Sequence, residues 1–232
     1  MIVIANNAIP DKALTNLKKI ARVIRLSSSG ITYDAVSGHP DVFLCKLPDG
    51  DIIHARNLPS GLLKTFKKDN LKLIPGKLDV GLKYPQSAHF NAVVTNEFLI
   101  HNLNYTDPEI LLHNKSKKHI HVNQAYTRCN LMPLNDDSFI TSDKGIHKVL
   151  NKNNLNSVFV DPKGIILPGF EYGFIGGAAG VNNDKVYFIG SLDYFNDGSK
   201  IKSFTKELNL DIIELYNGPL FDGGSLIFSG LL

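Results

Sequence analysis

Short apolar runs alternate with polar turns along most of this chain, and one order of elements keeps returning. It is an apolar strand, a turn, a second strand, a capped helix and a third strand. The first unit reads DVFLCKL, PDGD, IIHA, a helix near NLPSGLLKTFKK, and LKLI. The second reads NAVV, TNE, FLIH, the helix TDPEILLHNK, and HIHV. The third reads CNLMPL, NDDS, FIT, the helix SDKGIHKVLNK, and SVFV. After a longer connector the fourth reads GGAAGV, NND, KVYFI, a helix near NDGSKIKSFTKEL, and DIIEL. First strands starting at Asp41, Asn91, Cys129 and Gly177 recur roughly every 40–50 residues, the period of a repeat array.

The helix starts carry their own signals. Thr106 followed by Glu109 has the capping-box spacing, and Ser142 and Asp197 stand where N-caps are expected. Ile146, Val149 and Leu150 make the one-sided stripe of a helix packed on a core. The chain ends complete the pattern. GSLIF near the C-terminus supplies a lone first strand, while MIVIA, the helix PDKALTNLKKIA and RVIRL supply the rest of a fifth unit. Joining them closes a ring and removes the exposed edges of an open array. The expectation is an α/β fold of five units in one domain spanning 1–232. An open α/β or α+β sheet is the alternative.

The stretch SGHPDVFLCKL places a His, an Asp and a Cys close together. Read as an extended strand, His39, Asp41, Phe43 and Cys45 share one face, with Asp41 and Cys45 roughly 13 Å apart. Cys45 is then out of reach of either neighbour, and any partner for His39 and Asp41 comes from elsewhere.

Composition narrows the function classes. The 232 residues are 43% hydrophobic and 20% charged, as in ordinary soluble proteins. A net charge of +3 with scattered Lys and Arg gives no indication of DNA or other nucleic-acid binding. Two Cys without a C-x-x-C argue against a disulfide framework or structural zinc. MIVIANNAIPDK lacks the basic start of a signal peptide, and no run approaches the roughly 20 apolar residues that span a bilayer. A reduced, cytoplasmic protein without a membrane partner is expected. No cofactor is implied: GGAAG lacks phosphate-loop spacing and leads into a strand, so it reads as close backbone packing. No metal site is expected either, and HIH at 119–121 reads as structural.

The segments GHPD (38–41), YTDPEIL (105–111), QAYTRC (124–129), ITSDKGI (140–146), YGFIGGAAG (172–180) and FDGGSLI (221–227) resemble the penteins, the guanidino-group-modifying enzyme superfamily. The resemblance is nearer to a bacterial family of that fold without an assigned activity. It implies a five-bladed α/β propeller of ββαβ modules about a pseudo-fivefold axis, the last module closed by both termini. It also implies distant kinship to arginine deiminases and dimethylargininases, in which a Cys attacks a guanidinium carbon, a His-x-acid motif assists and carboxylates hold the cation. His39-Pro40-Asp41 matches that motif, whereas Ser225 stands where the superfamily's nucleophile is expected.

In such a ring the leading ends of the first strands meet near the axis. That gathers His39 with Asp41, His89 with Asn91, Cys129, Gly177, and Asp222 with Ser225. Cys129 is the thiol at this level. A free Cys has a pKa near 8.5, and lowering it by two units takes roughly 2.7 kcal/mol. Arg128 would point to the other face of a regular strand, leaving His39 or His89 to help. The candidate catalytic residues are therefore Cys129, His39 and Asp41, with Asn91, Asp222, Ser225, His89 and Gly177 around the substrate. Each has a plain alternative: Cys129 as a small buried hydrophobe, His-Pro-Asp as a bend into a strand, Asp222 as a turn acceptor.

Two functions stay open. One is a guanidino- or amidino-group-modifying enzyme, of hydrolase or amidinotransferase type, taking a small cationic ligand in an axial pocket. The other is a non-catalytic pentein that binds a ribosomal or protein partner or senses a small molecule. Substrate and oligomeric state are not legible.

Overall fold

The computed structural model describes residues 1–229, so residues 230–232 of the expected domain lie outside the described residues. It contains five three-stranded sheets, one for each unit. The first blade pairs Leu44–Lys46, Ile52–His54 and Leu73–Pro75. The second pairs Val93–Val94, Phe98–His101 and Lys118–His121, and the third Leu131–Pro133, Ser138–Thr141 and Asn156–Phe159. The fourth pairs Ala179–Asn182, Lys185–Phe188 and Asp211–Glu214. The closing blade joins Ile227–Ser229 to Ile2–Asn6 and Arg22–Leu26, with Ile2 opposite Ser229 and Ile4 opposite Ile227.

In every blade the first two strands are antiparallel and the second and third parallel. A parallel step needs a crossover, and a helix supplies it each time. These are Asp11–Ile20, Ser60–Lys68, Pro108–His113, Lys144–Lys152 and Gly198–Glu207. Among the described residues no helix is long and apolar enough to cross a membrane.

Three crossovers stop in the same way. Asn70, Asn154 and Asn209 adopt left-handed φ of 54°, 59° and 54° just past their helices. The following Leu71, Leu155 and Leu210 donate their N–H groups back to Phe66, Leu150 and Thr205 carbonyls, as in a Schellman stop. Asn tolerates that conformation, and the leucine behind it reaches the core.

The chain enters its first strands differently from the sequence reading. Pro40–Phe43 is a turn of helix, and the strand begins only at Leu44. Thr127–Asn130 likewise forms a helical turn ahead of Leu131–Pro133. Pro40 explains the first: its fixed φ suits the opening position of a helix, while it holds His39 extended. The alternating-face and spacing argument for residues 39–45 therefore does not apply. Two caps also shift by one residue. Asp107 Oδ1, not Thr106, accepts from Glu109 N (2.8 Å), while Thr106 Oγ1 bonds His101 Nδ1 at 2.8 Å. Asp143 Oδ1, not Ser142, accepts from Ile146 N (2.8 Å). Asp197 stands at its N-cap position but makes no side-chain cap bond, its Oδ2 accepting from Asp161 N instead (2.8 Å).

The first strands lie side by side about the axis in chain order. Their leading turns are linked by hydrogen bonds that run round the ring. Asn91 Nδ2 donates to Asp41 O (3.0 Å), Arg128 N to Asn91 O (2.9 Å) and Gly177 N to Cys129 O (3.0 Å). Ser225 N donates to Gly177 O (2.8 Å), and Asp41 N to Gly224 O (3.1 Å), which closes the circle. Glycine permits these approaches. A Cβ on Gly176 would stand 2.1 Å from Arg128 O, and one on Gly180 2.3 Å from Leu226 O. GGAAG thus serves close packing between blades, as its composition suggested.

Gly180→Ala is expected to lower stability by about 1–3 kcal/mol through overpacking between the fourth and closing blades. Gly61→Ala, in a helix with open space around the site, should be neutral or stabilising by about 0.5–1 kcal/mol. Urea unfolding curves of both variants check this, and equal midpoints would contradict the tight seam.

Candidate functional site

Those leading turns deliver a polar cluster to the axis. His39, Asp41, Asn91, Cys129, Asp222 and Ser225 are each at most 3% exposed. Cys129 Sγ lies 3.2 Å from Asp41 Oδ2 and 3.2 Å from Asn91 Nδ2, while Asn91 Oδ1 accepts from Cys129 N (3.0 Å). Asn91 thus holds the thiol's turn, supports its sulfur and ties back to Asp41 through the ring.

Asp222 is anchored by its own glycines. Its Oδ1 accepts from Gly224 N (3.0 Å) and its Oδ2 from Phe174 N (2.9 Å). Gly177 leaves room for it, since a Cβ there would fall 1.9 Å from Oδ1. Gly224 does the same for His39, whose Cβ lies 2.2 Å from the position a Gly224 Cβ would take. His39 Nδ1 stands 3.9 Å from Asp222 Oδ1.

Several of these atoms have no hydrogen-bond partner among the described residues: both ring nitrogens of His39, Asp41 Oδ1 and Ser225 Oγ. Burying a polar group without a hydrogen bond costs roughly 1–3 kcal/mol. Four such atoms in one cluster call for a partner, which ordered water or a ligand would supply.

The charges about the cluster are mixed, with Asp41 and Asp222 facing the thiol and the buried Arg128 guanidinium close to all three. Burial pushes the Cys129 thiol well above its ordinary value, and the charges of Asp41 and Asp222 add to the rise; Asn91's N–H opposes it. Burial also raises Asp222, helped by Asp41 and opposed by His39 and the two backbone N–H groups. The resting thiol is a protonated donor to Asp41. Buried Cys45 behaves separately: burial lifts it to about 12, and its Sγ faces Ala92 O.

An axial cavity of about 180 Å³ reaches the cluster, with Asp41 and Ser225 at one end, Arg128 beside them and Lys46 further along. Drug-sized sites start near about 300 Å³, so this one suits a small polar molecule. Beside the cluster, Tyr33 OH bonds Tyr126 OH at 3.0 Å, and Tyr126 OH also bonds Ser87 Oγ. Phe170 packs on Tyr33 and Tyr84 on Tyr126 (ring centres 6.2 and 5.7 Å apart), extending an aromatic cover.

Of the residues singled out in the sequence, the structure brings together His39, Asp41, Asn91, Cys129, Gly177, Asp222 and Ser225. His89 stands apart. It is half-buried, with its Nδ1 bonded to Tyr105 O at 2.6 Å. Arg128, expected on the far face of a strand, lines the cavity because its turn is helical; its guanidinium donates to Gly176 O (2.8 Å). Tyr33 and Tyr126 were missed. Tyr126 lay inside the QAYTRC segment, whereas nothing local marks Tyr33.

His39, Asp41 and Cys129 each offer a ligand atom, and these atoms lie within 4.8 Å of one another. The HIH histidines do not join them. His119 Nε2 bonds Asn114 O (2.9 Å), and His121 Nδ1 accepts from Leu103 N (3.2 Å).

Solved structures with the same ring include an amidinotransferase of the saxitoxin pathway from Microseira wollei, at TM-score 0.54 and 11% identity, covering 92% of this chain and 87% of that one. Another is DDAH from Pseudomonas aeruginosa, a cysteine-to-serine mutant complexed with citrulline, at TM-score 0.53 and 10% identity over 92% and 91%. A third is agmatine deiminase from C. jejuni, at TM-score 0.54 and 12% identity over 94% and 78%. No curated protein matches in sequence. These likenesses establish the fold as the five-bladed α/β propeller of the penteins. A family model matches residues 4–227, and the chain belongs to that family, a family of unknown function (DUF6873).

Proposed function

We propose that this protein binds a small guanidino or amidino cation at the axis and modifies it through Cys129. The observation that carries the reading is the set of partnerless buried atoms, His39 Nδ1 and Nε2 and Asp41 Oδ1, around the Cys129 sulfur. A planar cation with several N–H donors would satisfy Asp41, with Asp222 as a second carboxylate nearby.

The charge balance gives the cation a second role. Without a ligand, burial first and the charges of Asp41 and Asp222 second hold the thiol above its ordinary value. A unit charge about 4 Å away in surroundings of effective dielectric about 20 is worth about 4 kcal/mol, or about three pKa units. A bound cation therefore offsets the carboxylates and releases the thiolate only when there is something to attack. The thiol gives its proton to His39 as the sulfur adds to the central carbon, and His39 returns that proton to the amine as its bond to the carbon breaks. Water or an amine acceptor then takes the carbon from sulfur, giving hydrolase or transferase chemistry. Ser225 lines the same cavity but has no basic partner, so the reading gives the bond-forming step to Cys129.

The structural neighbours named above support this reading, since each carries the name of an enzyme acting on such a group or holds citrulline. The protonated resting thiol favours a second reading, a binding protein that recognises the cation without reacting with it.

Incubation with 2-chloroacetamidine, followed by peptide mass spectrometry, is expected to alkylate Cys129 and spare Cys45. Cation binding without any adduct would leave the binding reading alone. The neutral analogue chloroacetamide tests the charge argument. Its reaction with Cys129 should have a midpoint above that of an ordinary cysteine thiol, because burial and both carboxylates raise the thiol. Asp41→Asn removes one of those charges, so the midpoint should move down, and the preference for the cationic reagent should fall by about tenfold per lost pKa unit. A midpoint unchanged in Asp41→Asn would show that Asp41 does not control the thiol.

A further inference from the structure

We propose that His39, Asp41 and Cys129 form a binding site for a divalent cation of the zinc type, with a fourth coordination position open to the axial cavity. The donor set is one imidazole, one carboxylate and one thiol, a combination that selects borderline-soft cations over magnesium or calcium. Three protein ligands with an open position is the arrangement of exchangeable zinc centres rather than closed structural ones.

The geometry is near what such an ion requires. Bond lengths of about 2.0–2.3 Å in a tetrahedral site put ligand atoms about 3.3–3.6 Å apart. The three atoms here lie within 4.8 Å, and Cys129 Sγ is already 3.2 Å from an Asp41 oxygen. Small side-chain rotations close the remaining gap. Among the described residues both His39 ring nitrogens and Asp41 Oδ1 are buried and without partners, so there the ion would displace the Cys129 thiol's bond to Asp41. The thiol proton leaves to solvent on coordination.

The surroundings match as well. A metal-bound histidine usually directs its other ring N–H to a carboxylate. Asp222 Oδ1 faces His39 Nδ1 at 3.9 Å and is itself fixed by Gly224 N and Phe174 N, leaving Nε2 as the ligand. Asn91 Nδ2 points at the sulfur from 3.2 Å, as N–H donors support metal-bound thiolates. The axial cavity touching Asp41 and Ser225 provides access and room for a fourth ligand such as water.

This inference does not rest on the guanidino reading. The two ligands compete for Asp41, so metal occupancy would mask the thiol from a guanidino compound.

Titration of the full chain with Co²⁺ as an optical probe tests it. One Co²⁺ per chain is expected, with visible bands of a tetrahedral ion and a thiolate-to-cobalt band in the near ultraviolet. Cys129→Ser should remove the thiolate band, and Asp222→Asn should weaken Zn²⁺ affinity by about 10–100-fold. Failure of the wild type to bind Co²⁺, or persistence of the thiolate band in Cys129→Ser, overturns the proposal. If circular dichroism shows that a variant does not fold, the wild type decides alone. Saturating Zn²⁺ should protect Cys129 from chloroacetamide, and absence of protection overturns the site. A chain that takes Co²⁺ this way yet binds no guanidino compound sinks the proposed function and keeps the metal site; the reverse result sinks only the metal site.

Discussion

Five hydrogen bonds about the axis, from Asn91 to Asp41, Arg128 to Asn91, Gly177 to Cys129, Ser225 to Gly177 and Asp41 to Gly224, hold the leading turns of all five blades together. Each blade is a small sheet with strands of two to five residues, too short to be stable alone. The ring gives each blade neighbours and removes its free edges. It also brings residues 39 and 222, far apart in the chain, to within salt-bridge distance.

Closing the circle has a chemical consequence. Main-chain groups at the axis satisfy one another, so the side chains leaving the same turns have few partners left. Among the described residues, His39 and Asp41 are buried with free hydrogen-bonding atoms, beside a thiol that burial and then two carboxylates push up. The proposed cation would draw on the unpaired atoms of His39 and Asp41, with the buried Arg128 guanidinium setting a limit on how much further positive charge the cluster takes.

The architecture was legible because it rests on periodicity. Strand, turn, strand, helix and strand repeat in register with apolar patterning, and the split fifth unit follows from the two ends of the chain. The leading turns were not legible. DVFLCKL and CNLMPL have the apolar content of strands, and only Pro40 hints that the first begins as a helical turn. That one misreading put Arg128 on the wrong side and made Asp41 and Cys45 seem to share a face. Thr106 and Ser142 lost their capping roles to the aspartates beside them because tertiary contacts with His101 and Asn130 claimed their hydroxyls. His89 has the right residue type two positions before Asn91, yet the Tyr105 carbonyl takes its Nδ1. The partnerless atoms are a property of three-dimensional burial, which no local pattern records.

The central claim is that the axial cluster is an acceptor-rich socket for a cation. Crystals of the protein soaked in guanidinium chloride test it most directly. The account predicts a planar ion bonded to Asp41 Oδ1 within about 3 Å, stacked close to the Cys129 sulfur. Guanidinium found only on surface carboxylates, with the ring nitrogens of His39 and Asp41 Oδ1 bonded to each other instead, would contradict it.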